Sequence, residues 1–162
     1  MAGPEDQGRR ILILAPIGRD GSASAELLGQ NGLDSTVCAD LTTLVQELEQ
    51  GAAAVFVAEE ALFGKDIDAV TGWLSKQPAW SDLPFVVLTS RHEHPVVSAW
   101  RRQLIDVLGN VSFLERPVQS ITLTSAMQSA VRARSRQYEV RALIEARDDA
   151  AAQLEALSLI HI

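Results

Sequence analysis

The chain has 162 residues, 47% of them apolar and 22% charged, which suits one globular domain with room for an extension. Its formal charge of −7 argues against a general nucleic-acid or anionic-membrane binder. The single cysteine, Cys38, rules out a disulfide-stapled secreted domain and fits a reducing, cytoplasmic setting.

Residues 1–8 are polar, contain Pro4 and read as a disordered start without the apolar core of a signal peptide. No apolar run approaches the roughly 20 residues of a membrane span. Ile11-Leu12-Ile13-Leu14 predicts a buried first strand, closed by Pro16 and Gly18. A helix follows over 22–30 and stops at Gly32, and Ser35–Cys38 reads as the second strand. Asp40 is placed to cap the next helix, since its carboxylate can accept from free N–H groups of the first turn. Leu41, Leu44, Val45 and Leu48 form the apolar stripe of that helix, and Gly51 ends it.

Ala54–Ala58 is apolar throughout and predicts a third strand covered on both faces. A helix over 66–77 points Ile67, Val70 and Leu74 inward before Pro78. Residues 84–89 read as the fourth strand, 95–108 as a helix around Val97, Trp100, Leu104 and Val107, and 111–114 as a short fifth strand. A long helix starts near Ser120. Five strands alternating with five helices imply an α/β domain with a parallel sheet and right-handed crossovers. The site of such a fold lies at the C-terminal strand ends. Here these are Ala15–Gly18, Ala58–Leu62, Thr89–Arg91 and Glu115–Pro117.

Two local motifs stand at those ends: Leu88-Thr89-Ser90 after strand four and Arg116-Pro117 after strand five. With the element order, they make residues 9–135 resemble the receiver domain of bacterial response regulators. The resemblance implies a flavodoxin-like five-stranded parallel sheet, order 2-1-3-4-5, with helices on both faces and a cis bond before Pro117. It also implies a phosphoacceptor Asp ending strand three, an acidic pair ending strand one that holds Mg²⁺, and a Lys before the proline. Phosphoryl transfer to a carboxylate builds negative charge that such a metal neutralises.

The sequence departs from the family at these positions. Ala15-Pro16 stands where the acidic pair would be, Ala58 where the acceptor Asp would be, and Arg116 where the Lys would be; Thr89 alone matches. The expectation is a pseudo-receiver domain, neither an enzyme nor a holder of metal or cofactor. Glu59 and Glu60 follow the acceptor position. Period-2 alternation turns Glu59 away from the face of Ala58 if the strand continues, and Glu60 falls in the loop. One of them can pair with Arg116 and imitate a permanently charged pocket, or both can be solvated loop residues.

Residues 121–162 carry five basic and five acidic side chains and no Gly or Pro, unlike the acidic body before them. Unbroken helix from Ser120 is on the order of 60 Å long, too long to pack wholly on a small domain. Leu123, Met127, Ala130 and Val131 are expected to cover the sheet, with the helix projecting beyond about Arg134. Val140, Leu143, Arg147, Ala150, Leu154 and Leu157 then follow the 3-4 spacing of a coiled-coil seam over residues 136–162. The seam predicts a homodimer, with Arg147 weakening it and setting register or orientation. The helix-four, strand-five and helix-five face is a second expected contact.

The resemblance implies the N-terminal module of a sensor histidine kinase, relaying a signal through paired helices in two-component signalling or a phosphorelay. The apolar end at Leu159–Ile162 has no helix stop, which reads as a boundary within a longer protein. The alternatives are a stand-alone adaptor that docks a kinase or another signalling domain, and a flavodoxin-like ligand-binding protein.

Other features carry weaker signals. His92 and His94 lack further ligands for a metal. Gly18-Arg19-Asp20-Gly21 lacks the full phosphate-binding glycine pattern. Cys38 reads as a small buried hydrophobe, and His161 lacks the pattern of a phosphoacceptor box. Arg132, Arg134 and Arg136 read as a solvated helix face, and Trp73, Trp80 and Trp100 as packing residues.

Overall fold

Apolar runs too short for a stable helix become the strands, and the amphipathic segments between them become the covering layers. A computed structural model describes residues 7–15, 20–91 and 94–160. The elements in order are β1 (Ile11–Leu14), α1 (Asp20–Gln30), β2 (Ser35–Cys38), α2 (Leu41–Gln50) and β3 (Ala54–Ala58). A short 3₁₀ turn (Glu59–Ala61) leads to α3 (Asp68–Ser75), β4 (Phe85–Thr89), α4 (Pro95–Leu108), β5 (Val111–Glu115) and α5 (Ser120–Ile160). All strand pairs are parallel, in the order β2-β1-β3-β4-β5. This is the flavodoxin-like arrangement expected from the sequence.

Strand alternation divides the core into two layers. Leu12, Leu14, Val55, Val57, Phe85 and Val87 pack against Leu44 and Leu48 of α2, Val70 of α3, and Leu104 and Leu108 of α4. Ile11, Ile13, Ala54, Phe56 and Val86 face the other way, onto Leu28 of α1 and Leu123 and Met127 of α5. Each fully buried aliphatic side chain contributes about 1.5–3 kcal/mol, so the sheet is held mainly by these two layers.

Local signals fix the joints. The Asp40 carboxylate accepts from the Thr43 N–H at 2.7 Å and starts α2, as its sequence position predicts. Gly51 ends that helix at φ 119°, and a Cβ there would meet the Gly8 backbone at 3.3 Å, so both conformation and space favour glycine. The Arg116–Pro117 bond is cis, as the resemblance implies.

The boundaries shift where side chains replace helical turns. α3 starts at Asp68 rather than 66 because Asp66 folds back to accept from the Asp68 N–H at 3.0 Å. It ends before Lys76 and Gln77, whose N–H groups bond three residues back in a tightened last turn. α1 starts two residues earlier than the sequence suggests, at Asp20. Pro16, Gly18, Arg19, His92, His161 and residues 1–6 lie outside the described residues.

The root of α5 departs most from expectation. Arg134 is only 4% exposed, not solvated. Its Nε donates to the Ala52 carbonyl at 3.1 Å, and its Nη1 donates to Ser81 Oγ and Gln137 Oε1, both at 2.7 Å. The guanidinium lies 4.8 Å from the Tyr138 ring centre and 5.5 Å from that of Trp80. Tyr138 donates its hydroxyl to the Ala52 carbonyl at 2.9 Å, and Gln137 bonds Asp82. Arg141 also lies over Trp80, 5.2 Å from its ring centre. The body therefore holds α5 through Arg141, one to two turns past Arg134, and the side chains from 142 to 159 are exposed.

Candidate functional site at the strand ends

The C-terminal ends of β1, β3 and β4 bring together Ala15, Ala58, Glu59, Glu60, Thr89 and Ser90, with Arg116 and Pro117 after β5. Ala58 is buried at the end of β3, and the chain then turns into the 3₁₀ segment instead of continuing as strand. That turn directs the two glutamates to different partners.

Glu59 is 5% exposed. One oxygen, Oε1, accepts from the Ser90 N–H at 2.8 Å, the Ser90 hydroxyl at 2.7 Å and Arg101 Nη2 at 2.8 Å. The other, Oε2, accepts from Arg101 Nε at 2.9 Å. Arg101 Nη2 also donates to the Ser90 carbonyl at 2.8 Å. A bidentate guanidinium on α4 thus ties β3 and β4 together through one buried carboxylate. Burial pushes the Glu59 carboxyl upward, but the hydrogen bonds from Arg101 and Ser90 outweigh it and hold the group below its ordinary range. The bond to Glu59 raises Arg101 in return.

Glu60 pairs with Arg116 instead, Oε1 to Nη1 at 2.6 Å, with both side chains about one-third exposed. Of the two pairings open in the sequence, Glu60 makes this one. Thr89 is buried, and its hydroxyl donates to the Leu114 carbonyl at 3.4 Å, bridging β4 and β5. A cleft of about 280 Å³ lies beside this network, lined by Glu59, Glu60, Phe63, Ser90 and Val97. Phe63 is 42% exposed and stacks edge-on against Trp100 at 5.0 Å. Cys38 is buried at the end of β2, where burial pushes its thiol up to about 11 and keeps it a poor nucleophile at neutral pH.

Arg101 is a functional-site residue that the sequence does not point to. It lies on α4, 42 residues from Glu59, and no local pattern connects them. The available signal is indirect: an acid between Ala58 and Ala61, directly after an apolar strand, needs a cation if it is buried.

The residues do not fit the Mg²⁺ that the resemblance would imply. Ala15 and Ala58 carry no side-chain oxygen, and both Glu59 oxygens are taken up by Arg101 and Ser90. A hard cation needs several oxygen ligands.

Of the seam residues on α5, Val140 is 46% exposed, Leu143 71%, Leu154 69% and Leu157 52%, while Arg147 and Ala150 are also exposed. None is covered by the body. No described helix is long and apolar enough to cross a membrane.

The fold is that of receiver domains. No family model and no curated protein matches the sequence; solved structures share the fold. A response regulator receiver domain protein from Clostridium thermocellum is 14% identical, with a TM-score of 0.60, covering 78% of this chain and 96% of that one. Full-length FixJ from B. japonicum is 23% identical, with a TM-score of 0.61, covering 88% of this chain and 66% of FixJ, so this chain spans just under two thirds of that protein. A structure containing a trimeric coiled-coil segment of yeast Spc42 fused to another structure is 17% identical, with a TM-score of 0.59, covering 92% of this chain and 96% of that one.

Proposed function

We propose that this chain is a phosphorylation-independent, receiver-like module of two-component signalling. It pairs with a second copy through α5 and passes a signal along that helix to an output such as a histidine kinase. One observation carries the reading: where the receiver fold concentrates its phosphoryl chemistry, this chain places methyl groups at Ala15 and Ala58 and a saturated Glu59–Ser90–Arg101 network. The input is then a protein contact rather than a phosphoryl group. Residues 9–135 form the receiver-like unit and 136–162 its extension, joined by the contacts of Arg134, Gln137, Tyr138 and Arg141.

Glu60–Arg116 supplies a fixed ion pair at the pocket mouth. The exposed seam supports pairing, and the likeness to a structure with a trimeric coiled coil agrees with a helix of this kind joining copies. In this reading the chain has no catalytic residue, cofactor or metal of its own.

The test is incubation with acetyl phosphate and Mg²⁺, read by intact mass. The expected result is no added phosphoryl mass. A stable phosphoryl adduct, mapped to Glu59 or Glu60, would overturn the proposal. The adaptor alternative rests on the cleft beside exposed Phe63. It predicts that Phe63→Glu abolishes kinase binding while α5 pairing persists.

A further inference from the structure

The exposed stripe on α5 has a sequence that distinguishes between the two ways two copies can pair. The body holds the side of the helix that carries Met127, Arg134 and Arg141, at seven-residue spacing. At about 100° per residue, Leu143 lies about 200° round from Arg141, so the stripe points away from the body. A second helix can therefore lie along it in either direction without meeting its own partner's sheet.

In a parallel pair in register, every seam residue faces its own copy. Arg147 meets Arg147, and like charges oppose each other in the seam. The positions flanking it, Ala146 and Ala151, offer no carboxylate to relieve them. Ala150 meets Ala150 and leaves the seam underfilled. Further up, Glu139 falls beside the exposed Ile144 of the other copy, so the flanking charges that usually set a parallel pair are missing.

In an antiparallel pair the order of the seam reverses. With the centre between Asp148 and Asp149, Val140 faces Leu157, Leu143 faces Leu154 and Arg147 faces Ala150, each pair occurring twice. Large apolar groups meet large apolar groups. Arg147 lies over a small neighbour, one layer and about 4.5 Å along the axis from its own copy, where its methylene stem covers apolar surface and its head reaches water away from the other arginine. At the flank, Ile144 meets Ala151.

We infer that two copies of this chain pair antiparallel through α5, centred between Asp148 and Asp149. The inference rests on the pairing reading above and adds its direction. Residues 140–157 overlap over about 27 Å of helix, and the two bodies stand at opposite ends. The C-terminal end of one helix lies beside the root of the other, so a relay along α5 acts between copies rather than within one.

Cysteine cross-linking on the full chain tests the direction. Leu143→Cys, Leu157→Cys and Leu154→Cys are prepared separately, and sedimentation equilibrium gives the mass of each. Cys38, buried in the body, stays out of reach. The Leu143→Cys and Leu154→Cys proteins are then mixed and oxidised beside each one alone. Cysteines with Cα atoms beyond about 7 Å do not bridge, so the mixture should give on the order of ten-fold more cross-linked dimer than Leu143→Cys or Leu157→Cys alone. Self-linking of Leu143→Cys and Leu157→Cys in a dimer overturns the direction and leaves the pairing intact. A dimer that cross-links in neither arrangement, or a trimer, overturns the seam as drawn. A monomer overturns both the direction and the pairing.

Discussion

Glu59 stays ionised inside the body because Arg101 and Ser90 supply four hydrogen bonds to it. Removing the cation leaves a buried charge without compensation. Arg101→Ala should therefore lower unfolding stability by about 3 kcal/mol, measured by urea denaturation at neutral pH. Arg116→Ala breaks a pair about one-third exposed and should cost no more than about 1 kcal/mol in the same assay. Equal losses would show that burial does not set the difference. The pH dependence has a definite sign. The Glu59 carboxyl titrates lower in the folded protein than in the unfolded chain. Its contribution is fully present at neutral pH and is lost as pH falls through the acid range below the ordinary carboxylate value. The stability gap between the natural protein and Glu59→Gln should narrow from pH 7 into that range. A constant gap would contradict the assigned pair. The sequence alone shows that Ala15 and Ala58 carry no side-chain oxygen at the strand ends. It does not reveal the pairing of Glu59, because α4 brings Arg101 into reach only after the sheet has formed.

Secondary-structure elements are more legible than side-chain partners. Runs such as Ile11–Leu14 and Ala54–Ala58 have one stable use, as buried parallel strands. The Asp40 cap and the Gly51 stop act within a few residues and can be read locally. α5 is legible in its length but not in its attachment. Arg134 looks like a solvated cation because its neighbours Arg132 and Arg136 are charged too. It is buried because Trp80 and the Ala52 carbonyl, from two distant segments, close a cage with Tyr138 one turn along the same helix. Arg134→Ala should lower stability by about 2–3 kcal/mol, through lost cation–π contacts and hydrogen bonds. Tyr138→Phe should cost about 1 kcal/mol or less, because the Ala52 carbonyl still accepts from Arg134. Differential scanning fluorimetry with chemical denaturation checks both, and a neutral Arg134→Ala would show that the cage does not hold the helix. The clamp also has a functional consequence. It fixes the joint where the body meets the exposed part of α5, and the relay proposed for this helix would start there.

At the scale of the whole molecule, two features stand at opposite ends of the sheet. The Glu59 network lies at the C-terminal strand ends, and the α5 root is clamped near the N-terminal ends, at Ala52 and at Trp80–Asp82. The β2-β1-β3-β4-β5 sheet, packed on both faces, connects them as a stiff body. In the proposed function, the exposed seam of α5 joins copies of an otherwise intact receiver-like body. Sedimentation equilibrium of the full chain beside Leu143→Glu and Leu154→Glu, over a concentration series, tests it most directly. The expected result is a dimer for the natural sequence and monomers for both variants, with unchanged thermal unfolding of the body. A monomeric natural chain, or a dimer that survives both substitutions, would contradict it.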